Sequence, residues 1–323
     1  MRIGKLDLDE RVMVVAEIGN NHEGSYGLAE EMIGLATAAG VDAVKFQTIV
    51  PERLVSPREE KRLAQLRRFQ LSYEQFERLA EAARRAGVLF LSTPFDVDSA
   101  RFLMPLVPAF KIASGDNNFF PLIDVVAQAG KPIILSAGLA DLEDVRRTKT
   151  FIDGVWAKQG VDPGLAVLHC VVSYPTPTSE ANLLAIRRLA SLGVTVGYSD
   201  HTLGIDAAVL SVALGARVIE KHFTISKTHS GFRDHQLSAD PADMAELVRG
   251  VRLAEEMLGT QEKRVLECER SLAVGARRSI VAARDLAAGT TLTWDDLDWL
   301  RPGGGLAPGQ EGDLLGRRLA CPV

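Results

Sequence analysis

Cysteine is scarce in this chain. Only Cys170, Cys268 and Cys321 occur among 323 residues, and no two form a CxxC pair. That excludes a disulfide scaffold and a ribbon-type zinc site, and it matches usage in a reducing cytoplasm. A basic excess is also missing. Lys and Arg number 37 against 42 Asp and Glu, a net charge of −5. Proteins that bind nucleic acid by neutralising phosphates carry the opposite balance, so no nucleic-acid partner is expected. Long apolar runs are absent too. Val12–Ile18 is interrupted by Glu17, Ala207–Ala216 is short, and the N-terminus has no charged-then-apolar leader. Neither run is long enough to span a bilayer, so a cytoplasmic chain with no membrane partner is expected. There is no GxSxG nucleophile motif. Cys170 follows His169 directly, but neighbouring side chains on a strand point to opposite faces, and an inert buried thiol is expected.

What is present is a repeating alternation. Eight short apolar runs begin at Val12, Asp42, Gly87, Ala109, Lys131, Leu165, Val194 and Ala216. Such near-continuous runs fit strands buried on both faces of a parallel sheet. Between them lie stretches with helical spacing, among them Leu28–Ala39, Tyr73–Ala86, Phe120–Ala129, Leu183–Leu192 and Ile205–Leu214, with a last one at Pro241–Leu258. Eight βα units in a row predict an α/β fold of the (β/α)8 TIM-barrel type. The rival, a doubly wound open sheet, expects a dinucleotide turn after the first strand, and AEIGNNHEG lacks that pattern. The chain exceeds a typical barrel by about 70 residues. Beyond residue 260 the texture changes to short strands, turns and the Gly/Pro-rich RPGGGLAPG. The expected organisation is a barrel over residues 1–260, a linker over 261–275 and a small β-rich domain over 276–323.

In a barrel the site forms at the C-terminal ends of the strands. The polar residues there are Glu17, Lys45 with Gln47, Ser92 with Thr93, Lys111 with Ser114, Ser136, Ser173 with Tyr174, Asp200 with His201, and Glu220 with Lys221 and His222. Lysines inside apolar strands are costly unless an anion or a carboxylate compensates them. Lys45, Lys111, Ser114 and Ser136 therefore suggest an anionic ligand such as a phosphate, with a Lys–Glu pair to Glu17 or Glu220 as the purely structural alternative. His201 and His222 end neighbouring strands and could share a divalent metal, with Asp200 and Glu220 beside them. The spacing does not choose among manganese, iron and zinc. His169 reads as a core hydrogen-bonder, while His22 and His235 lie in loops from which they could touch substrate.

The motifs AEIGNNHEG, DAVKFQ, STPFD, KIASGD, ILSAG, LHCVVSYPTP, GYSDHT and EKHFT occur in this order. Together they resemble the N-acetylneuraminate (sialic acid) synthase, or nonulosonate synthase, family. RRSIVAARDLAAG and RPGGG resemble that family's C-terminal antifreeze-like (SAF) domain. The resemblance implies a transferase that condenses phosphoenolpyruvate with an open-chain N-acylamino sugar, with C–O cleavage. The products are a nine-carbon 2-keto sugar acid and phosphate. It implies a divalent metal, Mn2+ with Mg2+ or Co2+ as alternatives, on His201 and His222. It assigns Glu17 and Glu220 to catalysis beside them. Lys45, Lys111, Ser114, Ser136, Gln47 and Thr93 match positions that bind phosphoenolpyruvate. Tyr174, Asp234 and Arg301 match positions that face the sugar. It also implies a domain-swapped homodimer in which Arg301 of one copy reaches the barrel mouth of the other.

Two departures stand out. Val172 replaces a polar residue of the family pattern, which points toward a diacetamido-trideoxyhexose acceptor and a legionaminic or pseudaminic acid product. The C-terminal domain, ending GRRLACPV, is expected to be short of one segment. Two further alternatives are a sugar-phosphate acceptor and a non-catalytic carbohydrate-binding barrel.

Overall fold

A computed structural model describes residues 1–323. The eight apolar runs form eight parallel strands: β1 Met13–Gly19, β2 Ala43–Thr48, β3 Leu89–Pro94, β4 Phe110–Ile112, β5 Ile133–Ser136, β6 Leu165–Cys170, β7 Thr195–Asp200 and β8 Val218–His222. Each pairs with its neighbour in sequence except β3 with β4, and β8 returns to β1 in register from Val218↔Met13 to His222↔Glu17. The ladder is interrupted between β3 and the three-residue β4. The two lie side by side and complete the near-barrel.

Strand alternation sorts the side chains into two cores. Val12, Val14, Ala16 and Ile18 face outward into the large core beneath the helices. Met13, Val15, Ala43, Leu91, Ala109, Ile134, Ala166, Leu168 and Val218 face inward and fill the bottom of the barrel. Ile3 and Leu8, flanking and part of a small hairpin that pairs Arg2–Ile3 with Leu6–Asp7, join that inner cluster and plug the bottom. Toward the C-terminal ends the inward positions turn polar, which makes a floor. Gly197 of β7 points inward at a crowded place, where a Cβ would sit 2.4 Å from Val218 O and 2.5 Å from Leu168 Cδ2. Glycine is thus required for β7 to approach β8 and β6 there.

Helices cover the outside. Tyr73–Ala86 starts with a Ser72–Gln75 capping box and ends on Gly87 in the left-handed region. Leu142–Gln159 and Pro241–Leu258 start with Asp141–Asp144 and Asp240–Asp243 boxes. Each such cap satisfies backbone N–H groups that the helix itself leaves open. Glu60–Phe69 is a helix not anticipated from the sequence. No helix is long and apolar enough to cross a membrane.

The chain divides at Gly259 into two compact units, Met1–Gly259 and Thr260–Val323. The second begins with two short helical turns, Glu267–Arg270 and Ala273–Ala276. It contains one antiparallel pair, β9 Ser279–Ala282 with β10 Leu297–Leu300, in register Ser279↔Leu300. Leu286, Leu292 and Leu297 are its buried apolar residues. Asp296, buried, caps the Thr293 backbone and pairs with Arg284.

Candidate active site

A cavity of about 950 Å³ opens at the C-terminal ends of the barrel strands. Its floor is built by strand alternation. From β1, Glu17 follows Met13 and Val15; from β2, Lys45 and Gln47 follow Ala43; from β8, Glu220 and His222 follow Val218. Thr93, Lys111, Ser136, Cys170 and Ser199 arrive in the same way from β3, β4, β5, β6 and β7, and all line the cavity.

The floor is a buried charge network. Lys45 Nζ lies 2.7 Å from Glu17 Oε2 and 3.6 Å from Glu220 Oε2, and Lys111 Nζ lies 3.3 Å from Glu220 Oε1. Lys45 also donates to Thr93 Oγ1 at 3.1 Å and Lys111 to Ser136 Oγ at 2.8 Å. Gln47 Nε2 donates to Glu17 at 2.8 Å, and Ser199 Oγ donates to Glu220 at 2.9 Å. Each lysine therefore pairs with a carboxylate, and each also faces the cavity. Burial pushes the Glu17 carboxyl up despite the attraction of Lys45. Burial opposes the charge on Glu220 as well, but Lys111 and Lys45 outweigh it and hold that carboxyl below its usual range. Burial lowers Lys111, whereas around Lys45 the two glutamates overcome burial and raise it.

Ser114 lies just past β4 in a single 3-10 turn, Ser114–Asp116. Its Oγ accepts from Gly138 N at 3.1 Å. A Cβ on Gly138 would lie 2.6 Å from Ser114 Oγ and 2.6 Å from Val172 Cγ2. Val172 itself is part of the cavity wall.

The two histidines line the same cavity. The rings of His201 and His222 are 5.4 Å apart, and Tyr174 lies 4.2 Å from the first and 6.1 Å from the second. His201 Nδ1 contacts Val171 O at 2.9 Å. A carbonyl only accepts, so Nδ1 carries the proton and Nε2 keeps its lone pair. His222 Nδ1 is buried without a partner. Burial holds His222 well below its usual range, helped by His201 and Lys45. No third His, Cys, Asp or Glu completes a metal-binding group. Asp234 and Arg233 enter the wall from the loop after β8. The Arg233 guanidinium lies 5.4 Å over the Tyr174 ring, and burial raises the Asp234 carboxyl. Arg301 follows β10 in the second unit and is exposed.

Several polar residues at the strand ends face away from the cavity, as alternation requires. Ser92 Oγ bonds Thr48 Oγ1 at 2.7 Å, and Lys221 pairs with Asp200. Asp200 is thus oriented away from the histidines it adjoins. His169 contacts Ala181 O at 2.8 Å and stacks on Tyr198. His22 and His235 are buried and absent from the lining, so neither is placed to touch a ligand. Cys170 does line the cavity. Burial would raise its thiol, but His201, whose Nδ1 lies 3.8 Å away, outweighs it. Residues missed by motif reading include Ser199 and the helix Glu60–Phe69, whose Arg62, Gln65, Leu66, Arg68 and Phe69 form one wall. Counting by two from Gly197 would have found Ser199.

The NeuB family model matches residues 32–263, and the SAF domain model matches residues 277–323. The chain belongs to the NeuB family. It is 40% identical over 324 residues to the N,N'-diacetyllegionaminic acid synthase of Legionella pneumophila, covering 95% of this chain and 90% of that one. It is 35% identical over 299 residues to the N-acetylneuraminate-9-phosphate synthase of Mus musculus, covering 88% and 81%. The crystal structure of the N-acetylneuraminic acid synthetase from Leptospira borgpetersenii in complex with citrate superimposes with a TM-score of 0.79 at 32% identity. That match covers 84% of this chain and 94% of that one. Relatives of this NeuB-family chain are thus synthases of sialic, legionaminic and pseudaminic acids.

Proposed function

We propose that the chain is a transferase that condenses phosphoenolpyruvate with an open-chain N-acylamino sugar, giving a nine-carbon 2-keto sugar acid and phosphate. The observation that carries this is the floor itself. Two buried lysines with the Ser114 and Ser136 hydroxyls lie beside a histidine pair in one cavity.

Lys45, Lys111, Ser114 and Ser136 would hold the phosphate and carboxylate through charge-assisted hydrogen bonds. Thr93 fixes the Lys45 ammonium, and Gln47 fixes the Glu17 carboxylate. C3 of the enol attacks the aldehyde carbon, and the new bond leaves C2 electron-poor. Water adds to C2 and gives one proton to Glu17, which passes it to the former aldehyde oxygen to make a hydroxyl. The C2–O bond to phosphate then breaks, its electron pair leaving with phosphate, while the new C2 hydroxyl gives its proton to that phosphate and becomes the ketone. Glu220 holds the lysines in place between donor and acceptor. Tyr174 and Asp234 face the sugar.

His201 and His222 fit a divalent ion, manganese first, with magnesium or cobalt as substitutes. The free Nε2 of His201 and the unpartnered Nδ1 of His222 leave donor capacity that the chain does not use. A ring spacing of 5.4 Å suits two ligands on one ion, given metal–nitrogen bonds of about 2.0–2.1 Å. Bound there, the ion would polarise the aldehyde oxygen as a Lewis acid. The remaining donors would be water and sugar oxygens. In the same proposal, two copies pair with swapped C-terminal domains, and Arg301 of one serves the barrel of the other.

A diacetamido-trideoxyhexose is the second candidate acceptor beside N-acetylmannosamine. The apolar Val172 in the wall and the similarity to a legionaminic acid synthase favour it. The test is phosphate release from phosphoenolpyruvate with manganese and each sugar, with the product mass measured. Oxygen label in the bridging position should appear in phosphate. No release with any aldehyde, or label retained in the sugar acid, would overturn the proposal.

A further inference from the structure

The loop after β8 carries Phe232, Arg233 and Asp234 into the cavity wall. Its base is closed by the Phe223↔Ala239 bridge, with Thr224 N donating to Ala239 O and Ala239 N to His222 O. Asn21 donates to Phe223 O and Ser238 Oγ near that base, Lys227 pairs with Asp243, and on the far side the loop meets Glu23. Glu23, in the loop after β1, adopts a left-handed backbone conformation with φ 47°, uncommon for a residue with a side chain. From there its Oε1 accepts from the Ser230 hydroxyl and lies 3.1 Å from His235 Nε2. A carboxylate only accepts, so His235 donates from Nε2. Its other nitrogen lies 2.6 Å from Thr224 Oγ1, and the ring is fully buried. Glu23 Oε2 lies 3.5 Å from Arg68, on the helix that forms the facing wall. The next residue on that helix, Phe69, meets Phe232 edge to face at 5.0 Å.

We propose that Glu23 is a positioning residue for the acceptor side of the site. It latches the loop after β8 so that Arg233 stays over Tyr174 and Asp234 stays in the wall beside His201. This rests on the condensation proposed above. The donor side needs no such latch. Lys45, Lys111 and Ser136 sit on strands whose register is set by ladder hydrogen bonds. Loss of the latch should therefore separate the two substrates. Misplacement of a substrate-holding group by about 1 Å can cost on the order of 100-fold in rate.

The experiment compares Glu23→Ala, Glu23→Gln and Ser230→Ala in the full chain. Glutamine keeps an oxygen acceptor for Ser230 and His235. Glu23→Ala should raise KM for the amino sugar at least about tenfold while KM for phosphoenolpyruvate stays within about twofold. Ser230→Ala should shift the same way, and Glu23→Gln should recover most of the loss. Backbone hydrogen exchange of residues 224–238 should accelerate in Glu23→Ala and in Ser230→Ala, which serves if the first variant does not fold. Equal rises in both KM values, or exchange unchanged in both alanine variants, would overturn the latch. A parent chain that turns over no sugar would instead overturn the condensation, and the exchange arm would still decide the latch.

Discussion

Lys221 Nζ lies 2.8 Å from Asp200 Oδ2 with both side chains closed to solvent. Each is one residue away from a cavity histidine, yet the pair sits on the outer side of β7 and β8. Lys221 also donates to Thr202 O, and Asp200 Oδ1 accepts from the Thr202 backbone and hydroxyl at 2.8 Å each. The segment carrying His201 is thus pinned from behind. Breaking a buried pair by removing one partner typically costs about 3–5 kcal/mol. Lys221→Met is expected to lose that much stability in chemical denaturation. Changing Asp200 to leucine in the same chain should restore part of it, because no unpaired charge then remains.

Gly138 packs tightly against Ser114, which the proposal places on the phosphoenolpyruvate side. A methyl group there collides with Ser114 Oγ and Val172 Cγ2. Gly138→Ala should displace the serine and raise KM for phosphoenolpyruvate by between about 10- and 100-fold, with the fold retained by circular dichroism. An unchanged KM would remove Ser114 from the donor site.

His22 gives the protein an acid limb. Its ring is buried, Nδ1 accepts from Gly24 N at 3.1 Å, and Nε2 has no partner. Burial pushes its pKa down to about 4. The unfolded chain takes up this proton near the ordinary value of about 6.5, before the folded chain does. The neutral ring's contribution is therefore complete above pH 6.5 and is lost as pH falls toward 4. The loss amounts to about 3 kcal/mol. His22→Gln should flatten stability over that window, measured by urea denaturation at several pH values.

The swapped pairing proposed above can be read by complementation. Arg301→Ala and His222→Ala should each be inactive alone. Co-expressed, they should yield about a quarter of the parent rate, because half the dimers are mixed and each mixed dimer holds one intact site. Absence of recovery in purified mixed dimers would place Arg301 outside the partner's site.

Much of this is legible in the sequence alone. The run MVVAEIG has apolar residues on both faces and a glutamate near its end, which marks a barrel strand reaching a site. The same holds for Lys45, Lys111 and His222. Alternation then separates neighbours: it sends Glu220 and His222 inward and Lys221 outward, a distinction that a list of polar strand ends does not make. Other features had no period to read. Glu60–Phe69 buries Leu63, Leu66 and Phe69, too thin a stripe in so charged a segment to announce a helix at the barrel mouth. The ties of Glu23 to Ser230 and His235 cross more than 200 positions. Such pairings depend on where the first and last strands of the barrel meet, and no local pattern encodes that.

The barrel treats its two ends of chemistry unequally. One set of groups is welded into a ladder where a one-residue slip would turn every side chain to the wrong face. The other includes Arg233 and Asp234, carried on a loop that Glu23 ties to the facing wall. Loops accept new lengths and sequences far more readily than ladders do. If the proposed condensation holds, a lineage built this way could exchange its acceptor sugar while leaving the floor intact, and a protein engineer seeking a new acceptor would begin at residues 224–238.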